Sequence, residues 1–363
     1  MSLTPDISET LSRARSDLRM GVPVVLQGVE GDAIVVAAET LSAERLGDLR
    51  VLGPDICLSV TARRAETLKA RTYDGDLARI CLPRDADLRW VRSVADPSDD
   101  LRSPMKGPFA SQRDGDAGLH RLAIRVIKSA RLLPAALVLS LKDAAELARV
   151  HGLTTLNASK ASDHMGLSSP LHRVVNARLP LAVSEAGQLH VFRPEDGGEE
   201  HYAIQIGQPP RDKPVLTRLH SACFTGDLMG SLKCDCGPQL RTAMAEMGHE
   251  GAGILLYLNQ EGRGIGLANK MRAYSLQDQG FDTVEANHRL GFEDDERDFR
   301  IGARILKNLG FSSVRLMTNN PGKIDMMQQC GISVTERVPL KVGETSHNSA
   351  YLATKAKKSG HML

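Results

Sequence analysis

The spacing of apolar positions predicts alternating helices and strands in the first part of the chain. A first helix is predicted behind Thr4-Pro5-Asp6, with Thr4 as its cap, because apolar residues recur there at helical spacing: Ile7, Leu11, Ala14 and Leu18. Valine-rich runs predict two strands at 22–26 and 33–37. Further helices are predicted at 43–52, 62–70 and 143–151, and further strands at 56–60 and 135–141. This order predicts an α/β fold in which mixed sheets are flanked by helices.

Two polar stretches interrupt the pattern. The segment from Asp96 to Gly118 is rich in Asp, Ser, Pro, Gly and Arg, lacks any period, and is predicted to be a long loop. A second polar stretch runs from Asn157 to His164. We place a domain boundary close behind it, which predicts two domains, residues 1–170 and residues 171–363.

The clearest pattern in the second domain is a strand followed by a glycine-rich turn and a helix. Ile254 to Leu258 is a predicted buried strand, and Asn259-Gln-Glu-Gly-Arg-Gly-Ile-Gly266 follows it. The next helix is predicted to end at Gly280 and carries Leu267, Met271 and Tyr274. Backbone amides of such a turn can approach a phosphate, but the pattern is not Gly-x-Gly-x-x-Gly, and a lone glycine turn is more often a tight connection.

The same order returns near the end of the second domain. Residues 314–317 form a predicted strand, Asn320 is the expected helix cap and Pro321 the first helical residue. Lys323 then lies in the first turn, where a cation is unfavourable unless an anion is shared with the helix terminus. This position indicates a phosphate site, with a solvated surface lysine as the alternative.

An acidic run lies between the glycine-rich turn and the turn before Pro321. Its sequence is Gly291-Phe-Glu-Asp-Asp-Glu-Arg-Asp-Phe299. Acids at the start of a helix favour its positive dipole end, and this explanation by itself is sufficient. The functional alternative makes one carboxylate a general base and sets the arginine against a phosphoryl group.

Composition narrows the class of protein. With 363 residues, 42% hydrophobic and 25% charged, the chain has the make-up of a globular protein. A formal net charge of +2 predicts no nucleic-acid partner, so phosphate binding should be local. The N-terminus does not resemble a signal peptide, and the longest apolar run, Leu132 to Leu141, is too short to span a membrane. We therefore expect a cytoplasmic protein without a membrane partner.

Three of the six cysteines lie close together, at Cys223, Cys234 and Cys236. Three thiolates can fill three positions of a tetrahedral zinc and leave the fourth for water, which is typical of a catalytic site. A structural zinc completed by a distant ligand explains the spacing equally well, and three inert thiols are the remaining alternative. Cys57, Cys81 and Cys330 are scattered, which agrees with a reducing compartment.

The segment from Arg218 to Leu340 resembles the GTP cyclohydrolase II family of riboflavin biosynthesis. The motifs that carry the resemblance are Arg218-Leu-His-Ser, Thr225-Gly-Asp, Cys234-Asp-Cys-Gly, Gln260-Glu-Gly-Arg-Gly-Ile-Gly-Leu, Ala273-Tyr-Ser-Leu-Gln-Asp-Gln-Gly, Asp282-Thr-Val-Glu-Ala-Asn-His and Thr318-Asn-Asn-Pro. The tail from Tyr351 to His361 resembles the end of that family as well. The resemblance implies an α/β fold for the second domain and a zinc hydrolase that releases formate and pyrophosphate from GTP.

The resemblance also implies roles for individual residues. The zinc ligands of the family match Cys223, Cys234 and Cys236. Asp295 matches the proton acceptor, and Arg297 matches a residue proposed to attack the α-phosphate. Tyr274 matches a tyrosine near the reacting base. Residues matching GTP contacts are Arg218, Leu219, His220, Ser221, Ala222, Gln239, Glu261, Gly262, Arg263, Thr283, Thr318 and Lys323. Magnesium with the triphosphate is implied too. We also expect a homodimer.

One position departs from the family pattern. The family usually has Glu directly before the first zinc cysteine, and Ala222 stands there instead. A missing carboxylate beside the metal can change the orientation of water or the recognition of guanine.

The first domain resembles dihydroxybutanone phosphate synthase in the order of its segments from Leu11 to Leu68. That family carries an acidic magnesium-binding loop between its first two strands, where this chain has only Gln27-Gly-Val-Glu-Gly-Asp32. The expected Gly-His pair is also interrupted, because Leu119 separates Gly118 from His120. Too few carboxylates remain to hold a hard cation. We therefore predict that this domain retains the scaffold and lacks synthase activity.

Three hypotheses follow from these features. The first is a GTP cyclohydrolase II with a degenerate partner domain, and the second is an enzyme that also retains synthase activity. The third is a non-catalytic zinc nucleotide-binding regulator, motivated by Ala222. The presence of Asp295, Arg297 and Tyr274 together argues against the third, since a binder has no need of all three.

Overall fold

The computed structural model describes residues 3–343, so the tail from Tyr351 to His361 lies outside the described residues. The described chain forms two compact units. The first contains residues up to Leu167 together with Ala268–Asp295, and the second contains Ser168–Leu267 and the chain from Glu296 onward. Both units combine a sheet with helices, which confirms the predicted α/β class.

The first unit is built on a six-stranded sheet with the order β4-β3-β5-β2-β1-β6. Its neighbours are antiparallel except β1 and β6, which run parallel. The strands are β1 Val24–Gln27, β2 Asp32–Ala37, β3 Ile56–Thr61, β4 Leu77–Cys81, β5 Ala135–Leu141 and β6 Thr155–Asn157. The helices from residue 3 to 167 are α1 Ile7–Arg19, α2 Ala43–Leu52, α3 Ala62–Leu68, α4 Leu88–Ala95, α5 Gly118–Ser129, α6 Ala145–His151 and α7 Ala158–Gly166.

Both faces of this sheet are buried. Successive residues of β2 alternate between two apolar clusters: Ile34 packs with Leu46 of α2 and Val91 of α4, whereas Val35 packs with Leu18 of α1 and Ile127 of α5. A strand covered on both faces needs apolar side chains in either direction, which explains the uninterrupted valine-rich run.

Two helices from the second half of the sequence belong to the first unit. They are α9, Leu267–Asp278, and α10, Thr283–Leu290, and α10 packs against α3. Asp282 caps α10 and forms a capping box with Glu285, and Gly291 ends the helix in the left-handed conformation. The predicted division at residue 170 placed this segment in the second domain, and the compact units group it with the first.

The second unit is built on a seven-stranded sheet with the order β13-β12-β10-β11-β9-β8-β7. The strands are β7 Leu171–Arg178, β8 Gly187–Pro194, β9 His201–Ile206, β10 Val215–Ser221, β11 Gly253–Leu258, β12 Ser313–Met317 and β13 Ser333–Val338. The four strands β10 to β13 run parallel to their neighbours among themselves, whereas β7, β8 and β9 add an antiparallel extension.

Helices cover both faces of the parallel part. On one side α11, Arg300–Asn308, and α12, Pro321–Gln329, pack against Leu219, Leu256 and Leu316. On the other side α8, Cys236–Glu250, packs Ala243 and Met247 against Leu216 and Leu255. The cap of α12 is Asn320 and its first residue is Pro321, as predicted from the sequence.

Several local predictions differ from the structure. The cap of α1 is Asp6 rather than Thr4, because the Asp6 carboxylate accepts from the backbone of Glu9 and completes a capping box. The polar stretch behind Asn157 forms α7, since Asn157 caps it and Ala161 is buried. Elements β4, α4, α5 and β6 of the first unit were not predicted, and neither were β7 to β10, β13, α8 and α10. Within the described residues, no helix is long and apolar enough to cross a membrane.

Candidate functional site

Strand β10 and the segments that follow β10, β11 and β12 carry most of the predicted site residues. Strand β10 lies between β11 and β12 and is parallel to both, so the three carboxyl ends lie at one edge of the sheet. In open α/β sheets, ligands bind in the crevice outside this edge. The loop behind β10 contains Cys223, the loop behind β11 contains Arg263, and the loop behind β12 leads to Lys323.

The three predicted ligand cysteines come together. The sulfur atoms of Cys223, Cys234 and Cys236 all lie within 4.8 Å of one another, and those of Cys223 and Cys234 are 3.7 Å apart. Hydrogen bonding with Cys223 raises the pKa of the Cys234 thiol, and the same cause raises that of Cys236. Soft sulfur donors at this separation fit a tetrahedral zinc with one further position.

Glycine at position 226 is required by the sulfur cluster. Gly226 lies in the short π-helical turn Phe224–Leu228, and its N–H donates to Cys223 Sγ at 3.3 Å. A Cβ built at this residue would lie 2.7 Å from Cys234 Sγ and 3.0 Å from Cys223 Sγ. Real side chains do not tolerate these distances, so the backbone itself forms one wall of the cluster.

Asp227 connects the cysteine loop to two strands. Its carboxylate accepts from the backbone N–H of Cys223 at 3.0 Å and from the Tyr257 hydroxyl at 3.0 Å. His220 Nε2 lies 3.0 Å from each carboxylate oxygen, and its ring stacks on Tyr257 at 5.6 Å. Burial lowers the pKa of His220, although Asp227 opposes the shift. A buried carboxylate with these donors fixes the first ligand loop.

Arg218 is a buried cation on β10. It donates to the side chain of Gln239 and, at 3.1 Å, to the Met317 carbonyl, and Gln239 donates in turn to Asp235 at 2.6 Å. Arg218 Nε is buried and makes no hydrogen bond. Burial lowers the pKa of Arg218 to about 10. One donor of this guanidinium is therefore available for an anion.

Lys323 is buried rather than solvated, so the surface-lysine alternative is wrong. Only 6% of the residue is exposed, and its ammonium donates to the carbonyl of Leu219 at 2.9 Å. Thr318 is buried in the same loop region, where its hydroxyl accepts from the N–H of Asn320 at 3.0 Å. A buried ammonium beside a helix N-terminus is an arrangement that an anion stabilises.

Arg297 lies near the end of β10. Its Nη1 donates to Ser221 Oγ at 3.4 Å, and its guanidinium lies 4.6 Å from the centre of the Phe299 ring. The Lys323 ammonium lies 4.9 Å from the same ring. The Phe299 ring thus lies close to both the Arg297 guanidinium and the Lys323 ammonium, and Ser221 contacts Arg297.

The glycine-rich turn behind β11 has an unusual backbone. Gly262 and Arg263 both have positive φ, 63° and 61°, inside the short 3₁₀ segment Glu261–Gly264. Glu261 accepts from the N–H of Phe224 at 2.6 Å and from that of Gly262 at 3.0 Å. The turn is therefore tied to the cysteine loop through Glu261. Ala222 is held at the end of β10 by an N–H bond to the Leu258 carbonyl at 2.8 Å.

Three predicted site residues lie in the first unit instead. Tyr274 is on α9, and its ring centre lies 5.7 Å from the Lys270 ammonium. Thr283 begins α10, and its hydroxyl accepts from Gln277 at 3.1 Å. Asp295 is the last residue of the segment that groups with this unit.

The first unit also contains a cavity of about 610 Å³ at the predicted degenerate loop. Its lining includes Glu30, Asp32, Asp116 and His120. The carboxylate of Asp32 accepts from the Ala144 N–H, and that of Asp116 from the Gly118 N–H, both at 2.8 Å. Burial lowers the pKa of His120 to about 4, and its Nδ1 lies 2.7 Å from Ser59 Oγ.

Sequence reasoning gave no role to Gly226, Asp227 and Tyr257. The first two lie in the Thr225-Gly-Asp motif, which contributes to the family resemblance but does not by itself indicate a role for either residue. Tyr257 has no local signal, because its contact with Asp227 joins β11 to a loop about thirty residues away in the chain.

Comparison with known proteins covers both halves of the sequence. Residues 172–339 match the family model described as GTP cyclohydrolase II. A GTP cyclohydrolase-2 from Azospirillum brasilense is 44% identical over 360 residues, which are 97% of this chain and 94% of that protein. A GTP cyclohydrolase-2 from Neisseria meningitidis is 54% identical over 199 residues, which are 54% of this chain and 99% of that protein.

A solved structure aligns with most of the chain but not closely. It is a two-domain 3,4-dihydroxy-2-butanone 4-phosphate synthase from A. baumannii, with 16% sequence identity over 92% of this chain and 99% of that chain. The TM-score of 0.34 is too low to equate the two folds.

Proposed function

The chain belongs to the GTP cyclohydrolase II family of hydrolases, and on this basis we propose that it carries out the first step of riboflavin biosynthesis. The reaction converts GTP into 2,5-diamino-6-(5-phospho-D-ribosylamino)pyrimidin-4(3H)-one, formate and pyrophosphate. The observations that support it best are the cysteine cluster behind β10 and two buried cations of the same unit, Arg218 on β10 and Lys323 on α12. Ring opening needs an activated water, and the triphosphate needs positive charge.

Cys223, Cys234 and Cys236 are the residues that would hold zinc. The sulfur positions and the side-chain-free wall at Gly226 fit that ion. Bound zinc supplies a Lewis acid that activates water at neutral pH. Asp227 accepts from the Cys223 N–H and thereby fixes the loop from which the first thiolate comes.

The cations of the second unit are suited to the triphosphate. Arg218 has a buried Nε without a hydrogen-bond partner, and Lys323 presents a buried ammonium next to the start of α12. Arg263 lies in the glycine-rich turn, where both Gly262 and Arg263 have positive φ. Binding of an anion by such groups is strong, because little water competes with them.

We assign the remaining GTP contacts as the sequence predicts. They are Leu219, His220, Ser221, Ala222, Gln239, Glu261, Gly262, Thr283 and Thr318. Ala222 stands where the family usually has Glu, so we expect this chain to differ from its relatives in the orientation of water beside the metal or in the recognition of guanine.

Arg297, Asp295 and Tyr274 are the proposed catalytic residues. Arg297 lies beside Ser221 with a planar set of donors, which suits stabilisation of a phosphoryl group during transfer. A guanidinium is a poor nucleophile, so we assign this electrostatic role to Arg297 in preference to covalent attack. Asp295 is the proposed proton acceptor, and Tyr274 the group near the reacting base.

The test is incubation of the purified, zinc-loaded chain with GTP and Mg²⁺, with formate, pyrophosphate and the diaminopyrimidine absorbance followed in parallel. All three products in step would support the full reaction and show that Ala222 is tolerated. Pyrophosphate without formate would place the defect at the cysteine cluster. GTP binding without either product would instead support the regulator hypothesis.

We propose that the first unit has no synthase activity. Two carboxylates at its cavity, Asp32 and Asp116, are held by backbone N–H groups, and the loop offers only Glu30 besides. Within the described residues, the only group of three or more His, Cys, Asp or Glu side chains close enough to hold a metal ion is the cysteine cluster, so this cavity presents no comparable set. Ribulose 5-phosphate with Mg²⁺ should therefore give no dihydroxybutanone phosphate, and formation of that product would favour the bifunctional alternative.

Magnesium and a homodimer are further parts of the proposal. Magnesium is needed to neutralise the leaving pyrophosphate, so chelation of Mg²⁺ with zinc retained should stop pyrophosphate release. The assembly is measured by light scattering of the full chain, where a mass near twice 39.4 kDa is expected.

A further inference from the structure

The segment Ala268–Asp295 carries three proposed site residues and is fastened to the α/β layer formed by residues 3–167. Both belong to one compact unit, and α10 packs directly on α3 of that layer. The contacts are polar and specific, and they occur along both helices of the segment. Their arrangement indicates what the first unit does for the reaction.

Arg272 on α9 is held by all three nitrogen positions of its guanidinium. Nε donates to Asp96 at 3.0 Å, Nη2 donates to Glu39 at 2.9 Å, and Nη1 donates to Asn269 at 2.7 Å. The second oxygen of Glu39 accepts from the Leu133 N–H at 2.8 Å. Oδ1 of Asp96 accepts from the N–H and the hydroxyl of Ser98 at 2.9 and 2.6 Å, so both carboxylates are also held by contacts within the layer. The three side chains of the network are 19–31% exposed.

Two further contacts locate α9 on the layer. Asn269 is fully buried, and its amide donates to the Arg131 carbonyl at 3.0 Å. At the other end of the helix, Gln279 donates to the Ser98 carbonyl at 3.1 Å. Tyr274 lies between these two anchors in the sequence, so the position of its backbone on the layer is set from both sides.

The end of α10 is anchored in a similar way. The Thr61 hydroxyl donates to the Gly291 carbonyl at 2.8 Å, and a Cβ at Gly291 would lie 2.9 Å from that hydroxyl. Arg63 donates twice to Glu293, at 3.1 and 2.8 Å. This pair is exposed, and Glu293 is two residues before Asp295, so the buried end of α10 and the pair both lie close along the chain to the proposed proton acceptor.

A largely buried carboxylate, Asp100, lies close to α10, with 13% of its side chain exposed. Asp100 binds Arg64 and Lys106 through short ionic contacts, and Arg289 of α10 lies 3.9 Å from it. Burial opposes the charge of Asp100, but the neighbouring cations Arg64 and Lys106 hold its pKa below the usual value. The layer thus presents fixed negative charge to Arg289 as well as to Arg272.

We propose that Arg272, together with Glu39 and Asp96, positions the segment that carries Tyr274 and Asp295, and that this is a function of the degenerate first domain. The proposal rests on the proposed cyclohydrolase function. Arg272 is a positioning residue, because it acts through the backbone of α9 and is not assigned to substrate. Misplacement of a reacting group by about 1 Å can cost about 100-fold in rate, so a small shift of the helix would be measurable.

The experiment compares Arg272→Met with Arg272→Lys in the full, zinc-loaded chain. Arg272→Met should lower kcat for formate release by about 10- to 100-fold. The KM for GTP should stay within about threefold, because the buried cations of the second unit are unchanged. Arg272→Lys keeps the charge but not the planar fork, and it should recover part of the loss. Arg149→Met is the matched control, since Arg149 forms an exposed pair with Glu146 on α6.

Three readouts separate positioning from a general loss of structure. The proposed role of Arg297, in the second unit, is in pyrophosphate release. In Arg272→Met, pyrophosphate release should therefore fall less than formate release, and the ratio of pyrophosphate to formate should rise. Adding Glu39→Gln and Asp96→Asn to Arg272→Met should cause little further loss, because residues of one network are not additive. Hydrogen exchange should increase in residues 268–295 and remain unchanged at the cysteine cluster.

The outcomes distinguish this proposal from the proposed function. A wild-type chain that forms no product from GTP would overturn the cyclohydrolase function and the positioning role with it. An active wild type with an unchanged kcat in Arg272→Met would overturn the positioning role alone. Equal losses of formate and pyrophosphate, in proportion to a loss of folded protein, would also overturn it.

Discussion

His220 Nε2 lies 3.0 Å from both carboxylate oxygens of Asp227, at the point where β10 enters the cysteine loop. The same carboxylate holds the Tyr257 hydroxyl and the Cys223 N–H. Because burial lowers the pKa of His220, the neutral ring donates through Nε2 and keeps Nδ1 as an acceptor. Asp227 thus determines both the tautomer of the histidine and the approach of the first cysteine.

Asp227→Asn should weaken zinc binding by about 10- to 100-fold, because the loop that holds Cys223 loses its charged acceptor. Competition with a chromophoric chelator measures this affinity. Asp212→Asn is the control, since Asp212 is exposed in the same unit. Equal zinc affinity in the Asp227 variant and the control would show that the hydrogen bonds to this carboxylate do not support the metal loop.

Cys234→Ser should abolish zinc binding and formate release, while pyrophosphate release partly survives. Serine offers a hard oxygen in place of a soft thiolate, which zinc in a sulfur site disfavours. Metal content and both products are measured in the same preparation. Cys330→Ser is the control, because Cys330 is outside the cluster and contacts Met326. Unchanged formate release in Cys234→Ser would refute the assigned zinc role.

Gly226→Ala should disturb the sulfur cluster without removing a ligand. The added methyl group would lie 2.7 Å from Cys234 Sγ, so either the sulfur or the turn must move. We expect reduced zinc affinity and a changed absorption spectrum of the cobalt-substituted protein. Gly230→Ala serves as the comparison, since a Cβ there meets no atom within 4 Å, although its φ of 66° adds backbone strain. A cobalt spectrum identical to that of the wild type would contradict this account.

Lys323→Met should raise the KM for GTP by about tenfold, because a buried ammonium is lost from the first turn of α12. Steady-state kinetics with pyrophosphate detection measures the change. Lys307→Met removes an exposed lysine from α11 and should leave KM as it is. If Lys323→Met also left KM unchanged, the triphosphate would have to lie elsewhere.

His120 should make stability depend on pH in the acidic range. Its pKa is lowered from 6.5 to about 4 by burial, so the unfolded chain binds a proton at pH values where the folded chain does not. The stabilisation is complete above about 6.5 and is lost as pH falls towards 4, with an upper limit of about 3 kcal/mol. Urea unfolding at pH 5 and pH 7 should show a smaller difference for His120→Asn than for wild type. The exposed His151→Asn should behave as wild type.

Local signals predicted much of the framework. Asn320 and Pro321 were placed as the cap and first residue of α12 because capping depends on a few adjacent residues. The cap of α1 was placed two residues early, since Thr4 and Asp6 offer similar side-chain acceptors and only the Glu9 contact distinguishes them. Elements β4 and α4 escaped prediction because their short patterns do not stand out from the polar sequence around them.

The sequence by itself determined the α/β class, the cysteine set and the family, because periodicity and motif spacing are local properties of the chain. Only the tertiary structure decided that Lys323 is buried, that Asp227 joins Tyr257 to the cysteine loop, and that Arg272 meets Glu39 and Asp96. The last contacts connect residues 176 and 233 positions apart in the chain. Such pairs depend on how sheets and helices pack, and no local pattern records which distant partner a side chain will meet.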